Sequence, residues 1–264
     1  MAPTYSVCIA TFVKRFDRYF KPLLKSIKEM KPDIEVIVVV NGEHNQLFDQ
    51  TYRRDMLKFL AEFDNVYPIM LTEHRACSKL WNTALLNATN DLCLRMDDDI
   101  TIPNISFFNM LDKAIEHTGG KSFKINRSWS HTLLNRKEID QVGWFDERFL
   151  GGGEEDGDFE WRWANLYGEQ FPDIHGFAIH NHWSEMDFDD CLVGQRKVHG
   201  KRSMFNLEFV NNKYKEDPNG QANGIMCHDG RGEQDPNYKK VICVDPTPNQ
   251  YPSESFYWEN KDKL

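Results

Sequence analysis

The chain has 264 residues, 40% hydrophobic and 13% aromatic, enough for a substantial buried core and unlike an intrinsically disordered protein. Its 32 basic and 41 acidic side chains give a formal charge of −9, which argues against a protein that coats nucleic acid by charge alone. The acidity is local: residues 151–190 hold one arginine against 11 acids, whereas 1–150 hold 20 of each sign and 191–264 hold 11 basic against 10 acidic.

The longest apolar run, residues 36–40, is far too short to cross a bilayer, and the opening MAPTYSVCIATF lacks a charged leader followed by an apolar stretch. The six cysteines (8, 77, 93, 191, 227 and 243) lie far apart without a CxxC pair. Together these features predict a cytoplasmic chain with reduced thiols and no membrane span.

In chain order, residues 5–12 read as a buried strand ending at Thr11, and 19–30 as an amphipathic helix with Leu23, Leu24 and Ile27 on one face. Residues 35–40, EVIVVV, are the clearest strand: a β-branched run suited to a sheet covered on both faces. It stops at the turn signal Asn41-Gly42. A helix is expected over 50–63, a strand over 66–71, and a helix over 78–88 with Leu80, Ala84, Leu85 and Ala88 on one side. A strand over 92–96 runs directly into Asp97-Asp98-Asp99, and a helix over 107–117 is closed by Gly119-Gly120. Beyond about residue 187 the periodicity fades; only 241–244 suggest a further short strand.

This alternation predicts an α/β fold with a doubly wound, mostly parallel, Rossmann-like sheet. Such sheets bind ligands beyond the carboxyl ends of their strands, a rule that gathers Thr11, Asn41 and the aspartate triplet at one edge. The dinucleotide fingerprint GxGxxG, a Walker A loop, a GxSxG elbow and HExxH are all absent from the sequence.

Three features carry chemistry. In Asp97-Asp98-Asp99 at a strand end, Asp97 and Asp99 fall on one side and Asp98 opposite. A solvated acidic turn accounts for such a triplet equally well when it is taken alone. The apolar strand before it and Pro103 after it favour a hard divalent cation bridging to a diphosphate. The second feature is a glycine triplet, 151–153, read as a mobile loop, which feeds Glu154-Glu155-Asp156-Gly157-Asp158 at the start of a helix. Helix-dipole capping explains one or two of these acids, not four within five residues. The third is His180-Asn181-His182, whose alternate histidines share a strand face, as two metal ligands or two structural side chains. Trp144, Trp161 and Trp183 read as core residues or as platforms that stack on a sugar or base.

Taken together, these features make residues 4–190 resemble a GT-A-fold glycosyltransferase, closest to the family 2 type of nucleotide-sugar transferases. The second cluster is also similar to the galactosyltransferase pattern WGGEDDD. The resemblance implies donor contacts from Thr11, Arg15, Asn41, Arg75, Asn82, Asp97 and Asp98. Asn41 stands where the family usually places an aspartate that meets the base. It implies Mn2+ or Mg2+ held through the DxD acids Asp97 and Asp99 with His180 or His182. It makes Glu155-Asp156 the ED motif, with Asp156 as catalytic base. Trp144, Gly152, Gly153 and Asp158 are assigned to the acceptor and its loop, and Gly157 replaces a third acid that some relatives use.

The implied reaction is metal-dependent, inverting transfer from a nucleotide sugar, a UDP-sugar foremost, to an acceptor hydroxyl. The acceptor is a glycan, a small molecule or a hydroxymethylated base in DNA. For a DNA acceptor, Lys197, His199, Lys201, Arg202, Lys213 and Lys215 are the candidate phosphate contacts. A non-catalytic protein that binds carbohydrate or nucleotide sugar is the rival from another class. The expected organisation is a catalytic domain over 1–190, divided into a donor half (1–100) and an acceptor half (101–190), followed by an irregular C-terminal extension over 191–264.

Overall fold

A computed structural model describes residues 3–42, 49–150, 152–182, 204–216 and 241–247. The β-branched run appears as β2 (Val36–Val40), with all five residues buried. It lies between β1 (Ser6–Thr11) and β3 (Val66–Met70), parallel to both. On the other side of β1, β4 (Leu92–Asp97) is also parallel. The four strands read from sequence therefore form one parallel block, joined by helices.

Helix α1 (Val13–Arg15) leads through a π-helical turn at Phe16–Phe20 into α2 (Lys21–Met30), so the helix expected from residue 19 has an irregular first turn. Next come α3 (Gln50–Leu60), whose first turn is capped by the Asp49 carboxylate, and α4 (Cys77–Asn87). After β4 the chain makes β5 (Ile100–Thr101) and α5 (Ser106–Thr118), which ends on a left-handed Gly119.

Two strands with no counterpart in the sequence analysis follow: β6 (Phe123–Ile125) and β7 (Ser128–Asn135). Strand β7 runs antiparallel to β4, and β6 antiparallel to β7. With β8 (Asp173–Ile174) the sheet has seven strands in the order β3-β2-β1-β4-β7-β6-β8. It is mixed, with β3, β2, β1 and β4 parallel to one another. The remaining elements are α6 (Arg136–Val142), α7 (Glu155–Tyr167), β9 (His180–Asn181), α8 (Met204–Lys213), β10 (Tyr214–Glu216) and β11 (Val241–Cys243).

The chain divides into two units. The first takes residues up to 75, 80–138 and 172–190, and contains the whole seven-stranded sheet. Its core packs Val7, Ile9, Val36, Val38, Val40, Leu94 and Met96 of the sheet with Phe20, Leu24, Ile27, Phe107, Phe108 and Leu111 of the helices. The second takes 76–79, 139–171 and residues from 191 on. Its described core includes Phe149, Trp161, Val210 and Tyr214.

Candidate functional site

In the first unit, register places the sequence-predicted donor residues at one sheet edge. Thr11 pairs with Val40, and Ala10 with Asp97, so the ends of β1, β2 and β4 are level. The Asn41 amide N–H donates to the Thr11 carbonyl at 2.8 Å. The Asn41 side chain spans to the next loop: its Oδ1 accepts from the Arg75 N–H at 2.8 Å, and its Nδ2 donates to the Arg75 carbonyl at 3.0 Å. An aspartate makes only the first of these bonds, so an amide is the residue this backbone clamp requires. Gly42 is required as well, because a Cβ there would lie 2.4 Å from the backbone of Glu73. Asn82, on α4, is fully buried.

The aspartate triplet is unequal. Asp97 retains a side-chain exposure of 31% and accepts from Arg95 Nη1 at 3.0 Å; that guanidinium stacks over the Trp81 ring at 3.9 Å. Asp98 and Asp99 are each 2% exposed. Arg15 donates to Asp98 at 2.8 Å and stands 3.8 Å from Asp99. Sequence reading assigned Arg15 to the donor; in this structure its guanidinium first neutralises the triplet.

Oδ2 of Asp98 and Oδ1 of Asp99 are buried without a hydrogen-bond partner. Burial, then the charge of Asp97, raises the Asp99 pKa to about 7, against the pull of Arg15. Buried carboxylate oxygens without donors are costly, and a divalent cation is the kind of partner that satisfies them. Carboxylate oxygens of this kind are ligands suited to a hard cation. Among the described residues, no group of three or more His, Cys, Asp or Glu side chains is placed so that it could hold a metal ion.

The two histidines come to the same place. Strand β9 pairs antiparallel with β5, matching Thr101 to His180 and Ile100 to Asn181. The His182 N–H donates to the Asp99 carbonyl at 2.9 Å, and its Nε2 lies 2.8 Å from Thr101 Oγ1. The His180 and His182 rings stand 4.4 Å apart, nearly perpendicular. The structure thus joins the HxH strand to the segment that leaves the aspartates, although about eighty residues separate them. A further histidine, His131 on β7, is opposite Met96; it is buried with both ring nitrogens unpartnered, and burial lowers its pKa to about 4. No motif in the sequence marked it.

In the second unit, α7 carries the acid cluster. Glu154 caps it in the left-handed conformation at φ 76°, after Gly153 at φ 111°. Glu155 is buried; desolvation, then the neighbouring Asp156, raises its pKa to about 8, so it holds its proton at neutral pH. Asp156 is partly exposed and accepts from the Gly157 N–H at 2.8 Å. Gly157 has open space where a Cβ would stand.

Asp158, assigned from sequence to the acceptor, lies in a buried ion network. It accepts from Arg162 Nε at 2.9 Å, from the Tyr214 hydroxyl, and from Lys213 Nζ at 2.6 Å. Lys213 also donates to Asp146 at 2.7 Å, and Asp146 is held by Arg148. Burial pushes the Asp146 carboxyl up, but Arg148 and Lys213 outweigh it and hold it well below the ordinary carboxylate range. Lys213 has no exposed surface, which removes it from the candidate phosphate contacts. Lys215 is exposed, and residues 197, 199, 201 and 202 lie outside the described set.

Trp144 is buried with its indole N–H on Asp140 at 3.0 Å, and Trp161 stacks edge-on against Tyr214, so both serve the core. Gly152 and Gly153 fall within the described residues; Gly151 and Trp183 do not.

Residues 6–167 match the sequence model of glycosyl transferase family 2. The chain belongs to glycosyl transferase family 2. Solved structures agree at the level of fold. The crystal structure of S. aureus TarS superposes with a TM-score of 0.51 at 18% identity, covering 67% of this chain and 36% of that one. A 1–349 fragment of TarS gives 0.50 at 16% identity, covering 66% and 60%.

Mannosyltransferase PcManGT from Pyrobaculum calidifontis, in complex with GDP-Man and Mn2+, gives 0.51 at 15% identity, covering 67% and 55%. The family 2 chain described here thus spans less than two thirds of the length of each of these neighbours. No curated protein sequence matches it. The GT-A fold and the family assignment read from the motifs both stand, and the chain is a family 2 glycosyltransferase domain. Among its described residues, no helix is long and apolar enough to cross a membrane.

Proposed function

We propose that this chain transfers a sugar from a nucleotide-sugar donor to an acceptor hydroxyl, with inversion at the anomeric carbon and in dependence on Mn2+ or Mg2+. The observation that carries the reading is the buried aspartate pair just beyond β4, two of whose oxygens make no hydrogen bond, at the edge where a parallel sheet binds its ligand. Asp97 and Asp99 would hold the metal, with His180 or His182 beside them. When bound, the ion neutralises charge that grows on the departing nucleoside diphosphate.

Thr11, Asn41, Arg75 and Asn82 are assigned to the donor. Arg15 keeps the triplet ionisable until the donor arrives. Asp156, partly exposed on the first turn of α7, is assigned as the base: the acceptor oxygen bonds to the anomeric carbon, the bond to the diphosphate breaks, and the hydroxyl proton passes to the carboxylate. Asp156 Oδ1 accepts from the Gly157 N–H. A base on the acceptor side implies one displacement and therefore inversion.

The resemblance favours a UDP-sugar. The complex of the mannosyltransferase neighbour with GDP-Man keeps GDP-sugars in the test. The experiment is release of nucleoside diphosphate from a panel of UDP- and GDP-sugars, with glycan, small-molecule and hydroxymethylated-DNA acceptors, and with and without chelator. The expected result is metal-dependent release that Asp156→Asn abolishes while donor binding persists. Consumption of no donor with either ion, or full activity in excess chelator, would overturn the reading.

A further inference from the structure

The second unit contains a clamp that no motif announced. Asn206, in α8, has no exposed surface. Its Oδ1 accepts from the Leu150 N–H at 2.8 Å, and its Nδ2 donates to the Gly153 carbonyl at 2.8 Å. One amide therefore ties the two ends of the glycine loop from a segment more than fifty residues further along the chain. Gly153 stands two residues before Glu155, which itself precedes Asp156. Between them Glu154 sits at φ 76°, a left-handed conformation that a non-glycine residue keeps only where its surroundings impose it.

We propose that Asn206 is a positioning residue that fixes the loop entering α7 and so sets the aim of Asp156, which makes α8 part of the catalytic apparatus. The proposal rests on the assignment of Asp156 as base. The loop read from sequence as mobile is thus held at both ends, and α8 is anchored beside it by the Lys213 contacts with Asp146 and Asp158. Asparagine is the residue that this position requires, since the clamp needs one acceptor and one donor on a short, planar group. Aspartate keeps the bond to Leu150 but sets a carboxylate oxygen against the Gly153 carbonyl.

The test compares the full-length chain with Asn206→Ala and Asn206→Asp. The expected result is a fall in kcat of about 10- to 100-fold with donor KM changed less than about twofold, the size of loss that misplacement by an ångström produces. For Asn206→Asp, the kcat ratio to wild type should rise between pH 8 and pH 5.5, because a protonated carboxyl restores a donor to the Gly153 carbonyl; a purely structural lesion would not track that proton. Hydrogen exchange at the Leu150 amide should speed up in Asn206→Ala and stay slow in Asn206→Asp.

A folded Asn206→Ala with wild-type kcat would overturn the proposal and leave the base assignment standing. If the wild type itself transfers no sugar, the functional reading falls, and the Leu150 exchange rate alone decides the clamp: unchanged exchange in Asn206→Ala rejects it. Should Asn206→Ala fail to fold, the pH-dependent ratio of Asn206→Asp carries the decision, and a flat ratio rejects the proposal.

Discussion

Glu155→Gln isolates the cost of holding an acid inside the second unit. A carboxyl whose folded pKa exceeds its unfolded value keeps its proton over a window in which the unfolded chain has lost it, so stability falls as pH rises through that window. For Glu155 the window runs from 4.5 to about 8. At 1.36 kcal/mol per pKa unit the penalty grows to on the order of 5 kcal/mol above pH 8 and is absent below pH 4.5. Glutamine keeps the shape and removes the proton, so it should relieve that penalty.

At 2–4 °C per kcal/mol for a chain of this size, Glu155→Gln should melt about 10–20 °C above wild type at pH 9, with the gap closing towards pH 4.5. The assay is calorimetric or circular-dichroism melting of both proteins from pH 4.5 to pH 9. Asp99 and the other distant shifted groups are common to the two, so the difference reports Glu155 and the acids coupled to it. Parallel Tm curves across the whole range would refute the claim that this side chain is buried in its neutral form.

Three further outcomes are expected. Lys213→Met leaves Asp146 and Asp158 short of a buried cation; breaking such a network costs about 3–5 kcal/mol, and Tm should fall by about 6–20 °C. A drop below about 2 °C would show the network to be dispensable. Asn41→Asp puts a carboxylate oxygen against the Arg75 carbonyl and should cost about 1–3 kcal/mol in denaturant unfolding at neutral pH, whereas unchanged stability would deny the clamp. Gly42→Ala forces a Cβ to within 2.4 Å of the Glu73 backbone, and should abolish donor-induced stabilisation and lower Tm together; a variant indistinguishable from wild type would contradict that packing.

The parallel block of the sheet was legible in the chain because its signals are local. A five-residue β-branched run can only be an inner strand, and an acidic triplet that follows an apolar strand falls at a sheet edge by the geometry of parallel sheets. The HxH strand was legible as a strand, but its pairing with β5 was not, since register across eighty residues leaves no local trace. The β6–β7 hairpin went unread because its turn, Asn126-Arg127, has positive φ at both residues without a glycine to mark it.

The second unit was least legible. Asp158 looked like one more member of an acidic cluster, and its partners Lys213 and Tyr214 sit in a stretch rich in Asn and Lys that reads as irregular. Only the folded chain shows that Asp158 faces buried cations while Asp156, two residues earlier, stays partly exposed. No local pattern in the segment FNLEFVNNK singles out Lys213 or Asn206 from its other polar residues.

Isothermal titration of the nucleoside diphosphate against wild type, Asp97→Asn and Asp99→Asn, with Mn2+ and then with chelator, tests the aspartate edge most directly. Tight binding by wild type only with the ion, and loss of that ion dependence in both variants, is the predicted result. Equal affinity in chelator, or variants that bind as well as wild type, would contradict it.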